Sequence, residues 1–154
     1  MRRKKKIIPI EEAKTLLKTE RRGVFAVNGD DGYPYAIPVN YYYEEETNKI
    51  YFHGSRVGHK IDSLKKSNKI CFTVFGNEKI KDVEWAPYLQ SVVIFGRCNL
   101  VSDPALVDEK LRTFTMKYYP DEETMNEEIA ASGRGVQMYE IEIEHMSGKE
   151  IQER

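Results

Sequence analysis

Six consecutive residues hold the densest group of anion-seeking chemistry in the chain: Ser55, Arg56, Val57, Gly58, His59 and Lys60. They follow a β-rich run, Ile50-Tyr51-Phe52-His53, that stops at Gly54. They precede a helical pattern in which Ile61 and Leu64 share a face. A turn of small and basic residues that opens into a helix suits an anion, because unpaired backbone N–H groups and the positive end of the helix dipole point outward there. The working expectation is a phosphate on this turn, weighed against an ordinary solvated basic turn. Neither a Walker-type lysine motif nor G-x-G-x-x-G occurs, so a P-loop and a Rossmann site are both unsupported.

The other reactive residue types are scattered. His53, His59 and His145 form no i,i+4 pair and have no neighbouring cysteine, which argues against a metal site. His53 ends a strand, and it reads either as a ligand contact or as a hydrogen-bonded strand-end histidine. Cys71 and Cys98 lie in apparent strands without a C-x-x-C, as packing residues do, and they fit a reducing cytoplasm. A net charge of −1 supplies no global field for nucleic acid. No apolar run reaches the roughly 18 residues of a membrane span. The basic Arg2–Lys6 start leads only into Ile7-Ile8-Pro9-Ile10, too short for a signal-peptide core. Residues 1–8 are therefore expected to be a solvated basic tail, and 9–154 a single domain.

Several elements must position the turn. A first helix is expected over 9–21, with Pro9 at N1, Ile10, Ala13 and Leu17 on one face, and Gly23 as its end. Val24–Val27 reads as a strand, followed by the strong turn signal Asn28–Gly32. Tyr33–Tyr43 reads as a long aromatic strand broken by Pro38, which marks an edge, a bulge or a functional interruption. Ile70–Phe75 is a strand that ends at Gly76. The connector Asn77–Pro87 is a loop or lid whose Trp85 otherwise plugs the core or a subunit contact. Leu89–Val101 is a strand with a bulge at Gly96, apolar enough for burial on both faces. Asp103-Pro104 opens a helix that Pro120 closes, an acidic helix covers Asp121–Ala131, and Gly133-Arg134-Gly135 is a turn. A last strand runs from Val136 to His145. About six strands with peripheral helices imply a small closed or nearly closed antiparallel barrel.

The ordered set Gly32–Tyr41, Ile50–Ser55, Gly58-His59-Lys60, Leu64, Asn68, Cys71–Val74 and Gln90–Arg97 resembles one known family across nearly the whole chain. It is similar to the FMN-binding split β-barrel proteins related to pyridoxamine 5′-phosphate oxidase, and within them to the nitroimidazole-resistance or nitroreductase-like branch. The resemblance implies a mainly β, six-stranded antiparallel split barrel and a homodimer with FMN at the subunit interface. It implies phosphate contacts from Ser55 and Lys60, with Gly54 in the same turn and Arg56, His59 and Ser67 as additional candidates. Pro38, Val39 and Asn40 would lie along the flavin ring, and Gln90 and Ser91 would reach ring atoms from the second subunit. His53 is the one candidate for a catalytic or tuning contact.

The oxidase's arginine-leucine-proline ending is missing from Met146–Arg154, so pyridoxamine phosphate is not the expected substrate. The implied activity is an FMN-dependent oxidoreductase acting on a small, nitroaromatic-like acceptor. The alternatives are a non-catalytic flavin-binding or sensing module, and a barrel that holds haem or a deazaflavin.

Overall fold

The computed structural model describes residues 6–80, 85–119, 121–132 and 135–152. The basic start through residue 5, the middle of the Trp85 connector (81–84), Pro120, the Gly133-Arg134 turn and the last two residues lie outside the described residues. In chain order the elements are α1 (Ile10–Thr19), β1 (Arg22–Asn28), a 3-10 turn (Asp30–Gly32), β2 (Pro34–Asn40), β3 (Tyr42–Glu44) and β4 (Lys49–Ser55). There follow α2 (His59–Lys66), β5 (Lys69–Lys79), β6 (Tyr88–Val101), α3 (Pro104–Tyr118), α4 (Glu122–Ser132) and β7 (Val136–Gln152). No helix among the described residues is long and apolar enough to cross a membrane.

Among the described residues seven strands form one antiparallel sheet in the order β2-β1-β5-β6-β7-β4-β3. The two terminal strands of that order, β2 and β3, are joined in sequence by Tyr41 alone. A sheet whose two ends share one residue must roll up until they meet. The result is a mainly β split barrel with peripheral helices. Seven strands replace the expected six because the aromatic run divides at Tyr41 and not at Pro38, its first half pairing with β1 and its second with β4.

At this division Tyr41 has no strand on either side to take its backbone groups, and an unpaired buried amide is costly. The hydroxyl of Tyr118, at the end of α3, serves both. It accepts from Tyr41 N–H at 2.8 Å and lies 2.6 Å from the Tyr41 and Arg21 carbonyls. Lys117 Nζ donates to the carbonyls of Glu20 (2.6 Å) and Tyr41 (3.1 Å) and sits 4.0 Å from the centre of the Tyr41 ring. Burial, reinforced by Arg21, pulls this ammonium down to about 8. The Tyr41 ring is fully buried, and its hydroxyl donates to Leu17 O at 2.7 Å.

The barrel interior holds Phe25, Phe52, Phe72, Tyr139, Val92 and Ile94. Helix α1 covers one flank with Ala13, Leu16 and Leu17. Ala13 and Leu17 lie on the buried face as expected, whereas Ile10 is exposed, Leu16 takes its place, and Pro9 is the residue before the helix and not its first. A second, smaller cluster lies outside the barrel beneath α3, formed by Tyr51, Leu111 and Met138. There Lys110 reaches Glu44 at 2.7 Å while Tyr51 OH donates to Glu140 at 2.8 Å, which clasps α3 to β3, β4 and β7.

Several strands run further than glycine punctuation suggests. Gly23 lies inside β1, where a side chain would collide with the Phe72 ring, and Gly76 lies inside β5 against the Glu20 carboxylate. These glycines answer close packing: Gly23 is not the stop of α1, which ends at Thr19, and Gly76 is not the end of β5. β4 likewise continues through Gly54 to Ser55. The bulge at Gly96 is present: Phe95 pairs with His145 and Gly96 with Ile143, which leaves Glu144 unpaired. Beyond it β7 continues to Gln152, seven residues past the expected end. Within one chain β6 is buried on a single face, with Val92 and Ile94 inside and Phe95 54% exposed.

Replacing Tyr118 by phenylalanine should lower unfolding stability by about 1–3 kcal/mol, because the Tyr41 N–H loses its acceptor. Urea unfolding with an unchanged slope checks this.

Candidate functional site

The division at Tyr41 opens a fork between two bare strand edges. β2 pairs with β1 along its length and leaves its other edge free. On the facing arm, β3 covers only Lys49–Tyr51 of β4, while Phe52–Ser55 are paired with β7 alone. Extending the Tyr42↔Tyr51 register across the fork sets Asn40 opposite His53 and Pro38 opposite Ser55. The two strands remain in contact there. Pro38, Val39, Asn40, His53, Gly54 and Ser55 thus come to one place. Of the three readings of Pro38, the edge is the one that holds: β2 ends the strand order, and the β1–β2 register passes Pro38 without a bulge or break. A residue without an N–H fits an unbroken edge strand when its nitrogen faces away from the neighbour, here into the fork.

The basic turn lies at the open end of this fork. α2 begins after Gly58, whose φ of +137° is one that L side chains rarely adopt. The N–H groups of Ile61 and Asp62 both bond to Gly58 O (3.1 and 3.2 Å), and α2 has no side-chain cap. The N–H groups of His59 and Lys60, in the first turn, have no acceptor within the helix. Ser55 Oγ accepts from Val57 N–H at 3.2 Å, which holds the hydroxyl against the turn, and Ser55 O accepts from Tyr139 OH at 3.1 Å. Lys60 folds back over Gly54, where a Cβ would come within 3.0 Å of its Nζ, and lies 5.4 Å from the centre of the Tyr139 ring. Among the described residues Lys60 has no carboxylate partner. Its charge is therefore held at the turn and left uncompensated. From Tyr35, which packs beside α2, to Asn40 the bare edge spans about 16 Å and leads to the turn.

The remaining expected residues are placed differently. His59 points to Asp30 (3.6 Å) and packs edge-on against Tyr35 (4.6 Å), so it ties α2 to the β1–β2 corner. Asp30 also takes Lys66 at 2.8 Å, whose hydrogen bond holds that carboxyl below its usual range. Arg56 is exposed and lines a cleft under α3. Ser67 ends α2, about 12 Å along the helix from its start, where the dipole is negative. Gln90 is buried, and its amide is engaged by Glu12 (3.0 Å) and Asn77 (2.9 Å) of the same chain. Ser91 lies on the opposite, outer side of β6 and pairs with Phe75.

His53 projects outward from β4, its ring edge-on to Phe114 of α3 at 4.7 Å. Among the described residues it makes no hydrogen bond, so packing and not a polar partner holds it. The surrounding protein depresses its pKa, opposed by Glu128. Tyr41 and Tyr43 point inward and Tyr42 to the outer cluster. Cys98 is buried, which pushes its thiol well up, and Cys71 is half-buried on the next strand. No group of three or more His, Cys, Asp or Glu among the described residues could hold a metal. Tyr118 and Lys117 were missed from sequence, and no local signal marks a helix-end tyrosine as the partner of a strand 77 residues earlier.

The family model for pyridoxamine 5′-phosphate oxidase matches residues 9–150. Comparison with curated protein sequences gives no match. Among solved structures, the chain is similar to a Bacteroides thetaiotaomicron protein named for 5-nitroimidazole antibiotic resistance. That match has 19% identity and a TM-score of 0.79, and it covers 95% of this chain and 87% of that one. It is also similar to a FAD-binding protein of Mesorhizobium loti, with 22% identity, TM-score 0.67 and coverage of 94% and 96%. A FAD- and haem-binding protein of Mycobacterium smegmatis matches with 19% identity, TM-score 0.71 and coverage of 95% and 72%.

The environment of His53 makes a direct prediction. Its ring should titrate below the ordinary 6.5 in an NMR pH series, and the neutral form should dominate at pH 7. Because the folded value lies below the unfolded one, its contribution to stability should fall as pH drops below 6.5.

Proposed function

The chain belongs to the pyridoxamine 5′-phosphate oxidase family, and on that footing we propose that it binds FMN in the fork and works as a flavin-dependent oxidoreductase. The observation that carries this reading is the fork itself: two bare strand edges that meet a turn where an uncompensated lysine, a serine hydroxyl and free helix N–H groups converge. Lys60, Ser55 and the first N–H groups of α2 would hold the phosphate. The free backbone groups of β2 around Asn40 and of β4 beyond Phe52 would line the ring. One such turn suits one phosphate, which favours FMN over the dinucleotide that some structural relatives are named for binding.

When bound, the flavin supplies the electron transfer, and the protein orients it and controls access. No side chain in the fork stands as an evident acid or base. His53, held neutral near pH 7, offers a polar contact at the outer rim. The acceptor would be a small nitroaromatic-like compound and the donor a reduced nicotinamide. That same want of a catalytic side chain favours a second reading, a flavin-binding or sensing module without turnover. A flavin spectrum bleached by reduced nicotinamide and restored by a nitroaromatic supports the enzyme, flavin without turnover supports the module, and a Soret band would indicate haem.

A homodimer completes the proposal. The outer face of β5 and β6 exposes Phe75 (59%) and Phe95 (54%), and Trp85 nearby in the chain is 84% exposed. Apolar surface of this kind is suited to a partner, and a second protomer is the occupant we infer. Ser91, on the same face, would then face that protomer, while Gln90 stays engaged within its own chain.

Lys60→Ala should weaken FMN binding by about tenfold to a hundredfold, the loss of one charged phosphate contact. Quenching of flavin fluorescence measures it, and wild-type affinity would remove Lys60 from the site. Phe95→Glu should convert the dimer to a monomer by light scattering and lower flavin occupancy with it.

A further inference from the structure

A cleft of about 650 Å³ lies outside the barrel, between α3, α4 and the adjoining ends of β6 and β7. Its volume falls in the range of small-molecule sites. Val101, Val107, Leu111, Ile129 and Val136 wall it. The first four pack on or belong to the outer cluster with Tyr51 and Met138, so the floor is a fixed apolar surface. Among the described residues, two charged side chains line it. Asp108 is already compensated by Arg112 at 3.0 Å. Arg56 has no carboxylate partner among the described residues. The cleft therefore offers apolar walls and one unspent guanidinium, whose planar fork matches a carboxylate.

We propose that this cleft binds a small, largely apolar monoanion, an aromatic carboxylate in the simplest case, with its anionic end on Arg56. Its position gives it a role. Arg56 directly follows Ser55, so the cleft adjoins the first residues of the phosphate turn, and His53 projects outward from β4 toward α3. The ligand is then the electron acceptor, and Arg56 selects for it. This acceptor role rests on the flavin reading, whereas binding in the cleft does not.

The probes are 4-(trifluoromethyl)benzoate and its neutral amide, followed by fluorine NMR on flavin-saturated protein. The benzoate should bind one per chain and at least tenfold more tightly than the amide. Arg56→Gln, a change at an exposed residue that leaves packing untouched, should erase that preference while FMN affinity stays at the wild-type value. Ile129→Trp, which fills the cleft, should abolish binding of both probes. Equal binding of the two probes, or an unchanged benzoate preference in Arg56→Gln, overturns the proposal. A loss of FMN affinity in Arg56→Gln as large as the loss for benzoate overturns it too and places Arg56 on the flavin phosphate. Displacement of the benzoate by FAD but not by FMN also overturns it, giving the cleft to a dinucleotide. If the wild type binds no flavin and the probe pattern still holds, the acceptor role falls and the anion cleft stands.

Discussion

The barrel depends on one residue changing neighbours. Tyr41 ends a strand that pairs with β1 and begins one that pairs with β4, and the hydroxyl of Tyr118 takes the backbone groups that neither ladder satisfies. Without that substitution the point of division would bury an open amide, and the two arms would have to close on each other or fray. With it, the arms can stand apart. The bare edges of β2 and β4 thus stay unpaired beyond Tyr41 because a helix-end side chain does the work of a missing strand. Lys117 adds two further bonds to the same carbonyl cluster, so the base of the fork is pinned by the last turn of α3.

Much of this was legible in the sequence, and the limits have physical causes. The basic turn was readable because its chemistry is local: a hydroxyl, cations and a glycine within six residues, next to a helix. The bulge at Gly96 was readable for the same reason. The point of division was not, because Pro38 carries a strong local signal and Tyr41 carries none. A proline on a free edge breaks nothing, whereas a tyrosine between two ladders breaks the pairing silently. Gln90 shows a different limit. Its position was inferred by resemblance, but Glu12 and Asn77, distant in sequence, occupy its amide within the chain. Gly23 and Gly76 misled as punctuation because their role is to admit the Phe72 ring and the Glu20 carboxylate.

The outer surface is organised as tightly as the interior. Lys110, Glu44, Tyr51 and Glu140 form a chain of polar contacts that fixes α3 over β4 and β7. Burial alone would raise the Glu44 carboxyl and lower the Lys110 ammonium, and it is outweighed only by their mutual hydrogen bond together with those from Thr47 to Glu44 and from Lys110 to Glu109 and the charges around them. The helix that pins the fork from below is thereby also the roof of the outer cleft. The rim histidine and the Arg56 cleft consequently both lie against α3.

The free edge of β2 carries a last consequence. A bare strand edge invites a stray chain to add itself and start aggregation, and proteins guard such edges by withholding donors. Pro34 and Pro38 sit four residues apart on β2 and so present alike along it. Each denies an intruding polypeptide a hydrogen bond at its position, while a compact ring lying flat against the edge needs only the groups between them. The same two residues that border the slot proposed for the flavin also guard it against self-association by strand addition.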